Sequence, residues 1–401
     1  MVSTLIGILG SFSGNNAGDS ALLDGAMHAI LAAATETAPQ LDIGFMVPTS
    51  QPGFIRREFS RYPVSAFPIK VRYGAAKFWG LPAFWPFLRC DALITTGSLL
   101  FDYRLLDPFF NVLIPWSMQI PMAHRLGKPV LGFNIGIGPL VTERGNLLAR
   151  RIVSHMDRIV LREPEARVLL RQWGLEARAV DGADSALVLP RPTEEELLEV
   201  SAALFGSRPE CSGRLGINLS SVLDMAAGDQ SCLAGEFTAT VAAAVDRLLD
   251  GTPLQVVCIV TNELDRPFMD AFIRRLRHAG SVVVTPPGFS HRALLAAVAA
   301  CDTMLAMRLH AVIFAAATDV PVVAVSYSPK VTSFMAGLQQ EDWCLSLGRA
   351  DVARLPHLLG KAWDLRRQRR GLLGPRVEPM RLAAKRAAGL VIEMLLERLD
   401  A

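Results

Sequence analysis

Short apolar runs rich in β-branched residues alternate with longer Ala- and Leu-rich stretches along the first half of the chain, the pattern of strand–helix–strand units around a parallel sheet. The spacing predicts strands at 4–9, 41–47, 92–96, 130–134 and 158–161. Helices are expected at 19–33, 110–126, 143–155 and 163–173, opening near capping or breaking residues such as Asp19 and Pro164. The alternation stops around residues 187–213, where Pro190 and Pro192 precede Glu194-Glu195-Glu196 and then Gly206, Ser207 and Pro209. A linker over 190–213 follows from that composition. Strand patterns resume at 215–219 and recur near 254–260, 281–284, 302–306 and 321–325. The expectation is an α/β chain of two Rossmann-like doubly wound domains, 1–189 and 214–348, followed by helices over 349–401.

Length and composition agree with two domains. The chain has 401 residues, and single cores stop growing at roughly 250–300. With 51% hydrophobic but only 7% aromatic residues, the helices must pack on buried strands mainly through Ala and Leu. A net charge of +3 excludes the strongly basic surface of a typical nucleic-acid binder, so affinity for phosphate has to be local. The six cysteines form no C-x-x-C pair and several lie in apolar runs, which disfavours structural zinc, leaves no metal site expected and suits a reducing compartment. The opening MVSTLIGILG lacks a basic leader and reads as a buried first strand, which implies a cytoplasmic protein. The longest apolar runs, 293–307 and 311–327, contain Asp302 and Asp319 and fall short of the ~20 residues of a membrane span.

Candidate chemistry gathers where strands give way to helices. After the first strand, a loop with Gly10, Gly14 and Gly18, together with Asn15 and Asp19, offers free N–H groups to an anion or simply permits close backbone approach. Thr96-Gly97-Ser98 and Gly136-Ile137-Gly138-Pro139 end two further strands, at the sheet edge where open α/β folds bind ligands. Their plainer reading is as glycine turns. The segment AMRLHAVIFAAA is the most informative, because Arg308 and His310 follow a strand at the start of a helix. A guanidinium offers paired donors to a carboxylate or phosphate, and an imidazole exchanges protons near neutrality. One unit downstream, Tyr327 and Lys330 occupy the same kind of edge, Lys330 as a second cation for that anion or as an ordinary surface lysine. Two segments point elsewhere. Residues 67–89 mix Lys70, Arg72, Lys77 and Arg89 with Phe78, Trp79, Phe84, Trp85 and Phe87, which fits either a membrane–water interface or a buried helix or oligomer contact. The Arg-rich tail after residue 351 reads as a solvated helical face or as an anionic-membrane or phosphate contact.

In this order the segments resemble the polysaccharide pyruvyl transferase family: the Gly-rich strand–loop–helix, D-A-L-I-T-T-G-S-L-L, K-P-V-L-G-F-N-I-G-I-G-P, I-V-L-R-E-P-E, and C-D-T-M-L-A-M-R-L-H with Y-S-P-K. The resemblance implies a GT-B-like fold, with two domains facing a cleft that holds the active site. It implies phosphoenolpyruvate as donor, no further cofactor, and a pyruvate ketal on two hydroxyls of a sugar in a cell-envelope or exopolysaccharide precursor, lipid-linked if residues 67–89 meet the inner face of the membrane. By the same carry-over, Arg308 grips the donor and His310 acts as acid or base. Arg162, in the L-R-E-P-E segment, joins Lys330 as a further anion contact. The chain departs from relatives at Thr95-Thr96-Gly97-Ser98, where many carry a glycine run, and at Asn218-Leu219-Ser220-Ser221, where some carry an arginine. The competing readings are a nucleotide-sugar glycosyltransferase holding a ribose on Asn262, Glu263 and Asp265, and a non-catalytic anion- or lipid-binding subunit. The oligomeric state is left open.

Overall fold

The β-branched runs become strands of two sheets, each parallel throughout. The structure is a computed structural model that describes residues 2–69, 87–107, 111–206, 211–221, 230–347 and 349–399. Most of the aromatic and basic segment expected to touch a membrane, at 70–86, lies outside the described residues.

In the first unit, β1 (Val2–Leu9), β2 (Leu41–Thr49), β3 (Val64–Pro68), β4 (Ala92–Leu100), β5 (Val130–Ile137), β6 (Arg158–Leu161) and β7 (Ala179–Asp181) pair in the order β3-β2-β1-β4-β5-β6-β7. All eight residues of β5 are buried, as expected of a central strand in a parallel sheet covered on both faces. Its helices are α1 (Ala17–Thr37), α2 (Pro52–Glu58), α3 (Leu113–Arg125), α4 (Glu143–Val153) and α5 (Ala166–Gln172).

The second unit opens with α6 (Glu194–Phe205) and builds its sheet from β8 (Arg214–Asn218), β9 (Gln255–Cys258), β10 (Val282–Val284), β11 (Thr303–Ala306), β12 (Val322–Ser326) and β13 (Cys344–Ser346) in the order β10-β9-β8-β11-β12-β13. Between and after these strands come α7 (Gln230–Gly251), α8 (Arg266–Ile273), α9 (His291–Ala299), α10 (Leu309–Ala317), α11 (Pro329–Gly337), α12 (Arg349–Asp364) and α13 (Arg366–Leu399). Residues Ala311–Ala317 of α10 are buried on every side, so the apolar run at 311–327 is a central helix followed by a core strand. Strand order reverses between β1 and β4 and again between β8 and β11, and such switch points are where sheets of this kind bind ligands.

Three expectations change. The stretch assigned to a linker holds α6, because Thr193 and Glu196 form a reciprocal capping box and the acidic run lies in the positive first turn of the helix. The division falls at Leu189/Pro190, residues 15–18 group with the second unit, and the C-terminal helices split so that 380–401 belongs to the first. The short strands β3, β7 and β13 were not anticipated, being three to five residues long and lacking a readable period.

The basic tail is in part a solvated face, with Arg367, Lys385 and Arg386 exposed, but several of its arginines also engage the protein. In the second unit Arg369 is buried, donates to the Val322 carbonyl at 2.8 Å and stacks 3.6 Å from the centroid of the Trp343 ring. Burial pushes its guanidinium down to about 9. Arg370 and Arg376 donate to the carbonyls of Cys301 and Gln339. In the first unit Arg381, Arg386 and Arg398 do the same to Leu187, Asp181 and Asp91. These arginines satisfy carbonyls at strand and helix ends, which a planar multi-donor group does better than an ammonium.

Candidate active site

Strand β11 ends at Ala306 and α10 starts at Leu309, which places Arg308 at the carboxyl edge of the second sheet, beside the end of β8. Arg308 is the N-cap of α10, in extended conformation, and its backbone N–H donates to Asn218 Oδ1 at 3.1 Å. Asn218 is fully buried and donates in turn to the Ile259 carbonyl at 2.8 Å. One amide side chain thus ties the ends of β8, β9 and β11 together at the switch point.

The guanidinium of Arg308 is not an empty fork. Its Nε and Nη2 donate to Asp265 Oδ2 and Oδ1 at 2.8 and 2.7 Å, and the Asp265 side chain is fully buried. Burial pushes Arg308 down, but Asp265, with a smaller contribution from Tyr327, outweighs it and holds the group above the ordinary arginine range. One edge of the guanidinium is therefore spent on Asp265, and the Nη1 end faces a ligand beside Tyr327, whose side chain also bonds this group. Tyr327 is half-buried at the end of β12, the direct neighbour of β11, and Lys330 is half-buried in the first turn of α11.

His310 lies in the first turn of α10. Its ring rests against the Gly18 backbone so closely that a Cβ at Gly18 would sit 2.0 Å from Nδ1. The approach is fixed by the loop before α1: the Ala17 N–H donates to the Thr261 carbonyl at 2.9 Å, the Gly18 N–H donates to Asn16 Oδ1 at 3.1 Å, and Asn16 pairs with Asn262 in an isolated bridge. Of the loop residues singled out in the sequence, Asn15 is exposed, Asp19 is half-buried in the first turn of α1, and Gly14 has a φ of 81° with the Phe54 ring against its Cα. Gly18 is the position that meets the imidazole.

The three residues expected to hold a ribose are otherwise engaged. Asn262 caps the turn Glu263–Asp265 through Leu264 N–H, Glu263 pairs with Arg266 at 2.7 Å, and Asp265 holds Arg308.

In the first unit, Ser98, Gly97, Gly136, Gly138 and Arg162 meet at the carboxyl edge of β4, β5 and β6, but the cation is committed. Arg162 is 5% exposed and pairs with Glu163 at 2.6 Å and Asp184 at 2.7 Å, while Nη2 also donates to Ser98 Oγ. Burial pushes it down, and the two carboxylates outweigh this and keep it charged. Arg162 thus braces the strand ends, and any anion it met would share it with two carboxylates and a serine hydroxyl. The glycines serve the same brace: a Cβ at Gly136 would lie 1.9 Å from Ser98 Oγ, and Gly97 and Gly138 take φ of 90° and 99°. Nearby, Asp102 accepts from the Val141 and Thr142 amides and the Thr142 hydroxyl. Burial pushes its carboxyl up, but those hydrogen bonds outweigh that and hold it below the usual carboxylate range.

Asp265, Asn218 and Gly18 are the positions that the sequence understated. An acid two residues before a proline, an amide at a strand end and a glycine at a helix start are common, and their pairings with Arg308 and His310 are tertiary.

Comparison with known proteins bears on fold and family. The chain is similar in structure to the UDP-GlcNAc 2-epimerase of Neisseria meningitidis bound to UDP-GlcNAc, at a TM-score of 0.61, 9% identity and coverage of 99% of this chain and 100% of that one. The epimerase of Methanocaldococcus jannaschii gives a TM-score of 0.62, 9% identity and coverage of 99% and 100%. Anabaena Alr3699/HepE in complex with UDP and glucose gives 0.56, 10% identity and coverage of 98% and 99%. At such identities these likenesses show the two-Rossmann, GT-B-like fold alone. No curated protein matches the sequence. The family model for polysaccharide pyruvyl transferase matches residues 16–329, a span that runs from the loop against His310, through both sheet edges, to the start of α11. On that match, the chain belongs to the polysaccharide pyruvyl transferase family, a family of enzymes.

Proposed function

We propose that the protein transfers the pyruvyl group of phosphoenolpyruvate to two hydroxyls of a sugar in an envelope or exopolysaccharide precursor, releasing phosphate. The observation that carries this reading is the pairing, within one helical turn at the β8/β11 switch point, of an aspartate-oriented arginine with an imidazole seated on a glycine. In this scheme Arg308 binds the donor's carboxylate or phosphate through its Nη1 end, with Lys330 as a second cation. A proton is delivered to the methylene carbon, and one sugar hydroxyl adds to the resulting cationic carbon as it loses its own proton. The carbon–oxygen bond to phosphate then breaks, and the second hydroxyl closes the ketal and gives up its proton. Two hydroxyl protons are released, one replacing that taken up by the methylene carbon and the other leaving with phosphate. His310 is the proton carrier, and the positive charge around it steadies the phosphate as it departs.

The test is phosphate release from phosphoenolpyruvate in the presence of candidate sugar acceptors, with the new ketal methyl group followed by NMR. A nucleotide-sugar transferase is the competing reading, since two of the similar solved structures hold UDP-GlcNAc or UDP with glucose. Its ribose contacts at Asn262, Glu263 and Asp265 are already engaged within the protein. Thermal stabilisation by UDP-sugars without stabilisation by phosphoenolpyruvate would reverse the choice.

A further inference from the structure

Asp265 makes more contacts than an ion pair needs. Both of its oxygens take the Nε and Nη2 edge of Arg308, at 2.8 and 2.7 Å, and Oδ1 also accepts the N–H and the hydroxyl of Ser221, each at 2.9 Å. Its side chain is fully buried, whereas that of Arg308 is 23% exposed. Asp265 ends the turn Glu263–Asp265, and α8 starts at the next residue, so the carboxylate is anchored by regular structure on its own side and by Ser221 on the other. Asn218 fixes the backbone of Arg308 independently.

Two consequences follow from guanidinium chemistry. A guanidinium has a side-on edge, Nε with Nη2, and an end-on edge, Nη1 with Nη2. With the first edge held by Asp265, a ligand meets the end-on edge, in one orientation and beside the Tyr327 hydroxyl that also bonds this guanidinium. The buried carboxylate also cancels the charge of Arg308 locally. Attraction for an anion then depends on aimed hydrogen bonds more than on net charge, which weakens the hold on any anion that does not match that edge.

We propose that Asp265 is a positioning residue that aims the end-on edge of Arg308 at the donor and, by neutralising it, allows the phosphate product to leave. This rests on the pyruvyl-transfer reading of Arg308. The experiment compares wild type, Asp265→Asn and Arg308→Ala by steady-state kinetics with phosphoenolpyruvate, by product inhibition with inorganic phosphate, and by direct phosphate binding in calorimetry. Asp265→Asn keeps the shape and removes the charge. Its kcat is expected to fall about tenfold or more while inhibition and binding by phosphate tighten about fivefold, because Arg308 is left as an uncompensated cation. A residue that only supports the fold would lower the active fraction and leave phosphate affinity unchanged.

A folded Asp265→Asn protein with kcat within twofold of wild type, or with unchanged or weakened phosphate affinity, overturns the proposal. If that variant does not fold, Ser221→Ala removes one hydrogen bond from the same carboxylate and should lower kcat about threefold without raising the KM for phosphoenolpyruvate; no change in kcat overturns the proposal equally. Failure of the underlying reading looks different. It shows as a wild-type protein that releases no phosphate from phosphoenolpyruvate, or as an Arg308→Ala variant with undiminished turnover.

Discussion

Replacing Gly18 by alanine would place a methyl group 2.0 Å from Nδ1, 2.4 Å from Cγ and 2.6 Å from Cε1 of His310. Ordinary contacts of this kind begin near 3.4 Å, so the ring has to retreat by more than an ångström or rotate away. Misplacement of about 1 Å in a reacting group costs on the order of 10²-fold, or about 2.7 kcal/mol of barrier. The obstructing atoms belong to a side chain that can move, so the loss of stability should stay within the ~1–3 kcal/mol of an overpacked site. Gly25 supplies the contrast, since its Cβ would meet the backbone carbonyl of Ser185 at 2.0 Å, and backbone has far less room to give. The expectation is that Gly18→Ala folds, with a melting temperature near wild type, but loses about 10²-fold in kcat for phosphate release, whereas Gly25→Ala loses the fold. Paired thermal melts and phosphate-release assays, corrected for folded fraction, decide the matter. Wild-type kcat in Gly18→Ala would refute the idea that His310 is seated on this glycine for catalysis.

Other outcomes follow from the same geometry. Arg308→Ala should lower kcat/KM for phosphoenolpyruvate by ~1.5–3 kcal/mol, about 10- to 150-fold, as read in initial rates at low donor, and an unchanged value would remove Arg308 from donor binding. Arg162→Ala removes the guanidinium that pairs with Glu163 and the buried Asp184 and should cost about 3–5 kcal/mol in urea denaturation; a loss below about 1 kcal/mol would contradict the brace. The carboxyl of Asp102 is held below its unfolded value, so its contribution is present above about pH 4 and is lost as pH falls through the lower folded value. Asp102→Asn should therefore destabilise the protein by about 1–2 kcal/mol at pH 7 and by less at pH 3, and denaturation curves that shift equally at both pH values would argue against it.

Much of this arrangement is legible without coordinates, for identifiable reasons. Arg308 and His310 stand out because a guanidinium and an imidazole follow a strand end at the start of an otherwise apolar helix, where a histidine on its own reads as readily as a structural residue. The parallel sheets announce themselves through short apolar runs such as Val130–Phe133. What escapes is whatever depends on a partner distant along the chain. Asp265 lies 43 residues from Arg308, and its sequence context suggests a sugar contact as readily as a clamp. Arg162 looks like an anion binder until Asp184, 22 residues on, is found against it. The arginines of the tail display their charge in the sequence but not the carbonyls that absorb it. Strands of three residues, such as Ala179–Asp181, are too short for periodicity to resolve.

The division of the chain has a consequence for how it is made. The first unit includes residues 380–401, where the Ala384 carbonyl receives the buried Asn134 amide at 2.9 Å and Arg398 reaches the carbonyl of Asp91. On a translating ribosome, the N-terminal sheet must wait through the synthesis of all of Pro190–Pro379 before the helix that completes it emerges. The second unit, nearly continuous in sequence, is in a position to finish first, so vectorial folding here does not run from the N-terminus to the C-terminus.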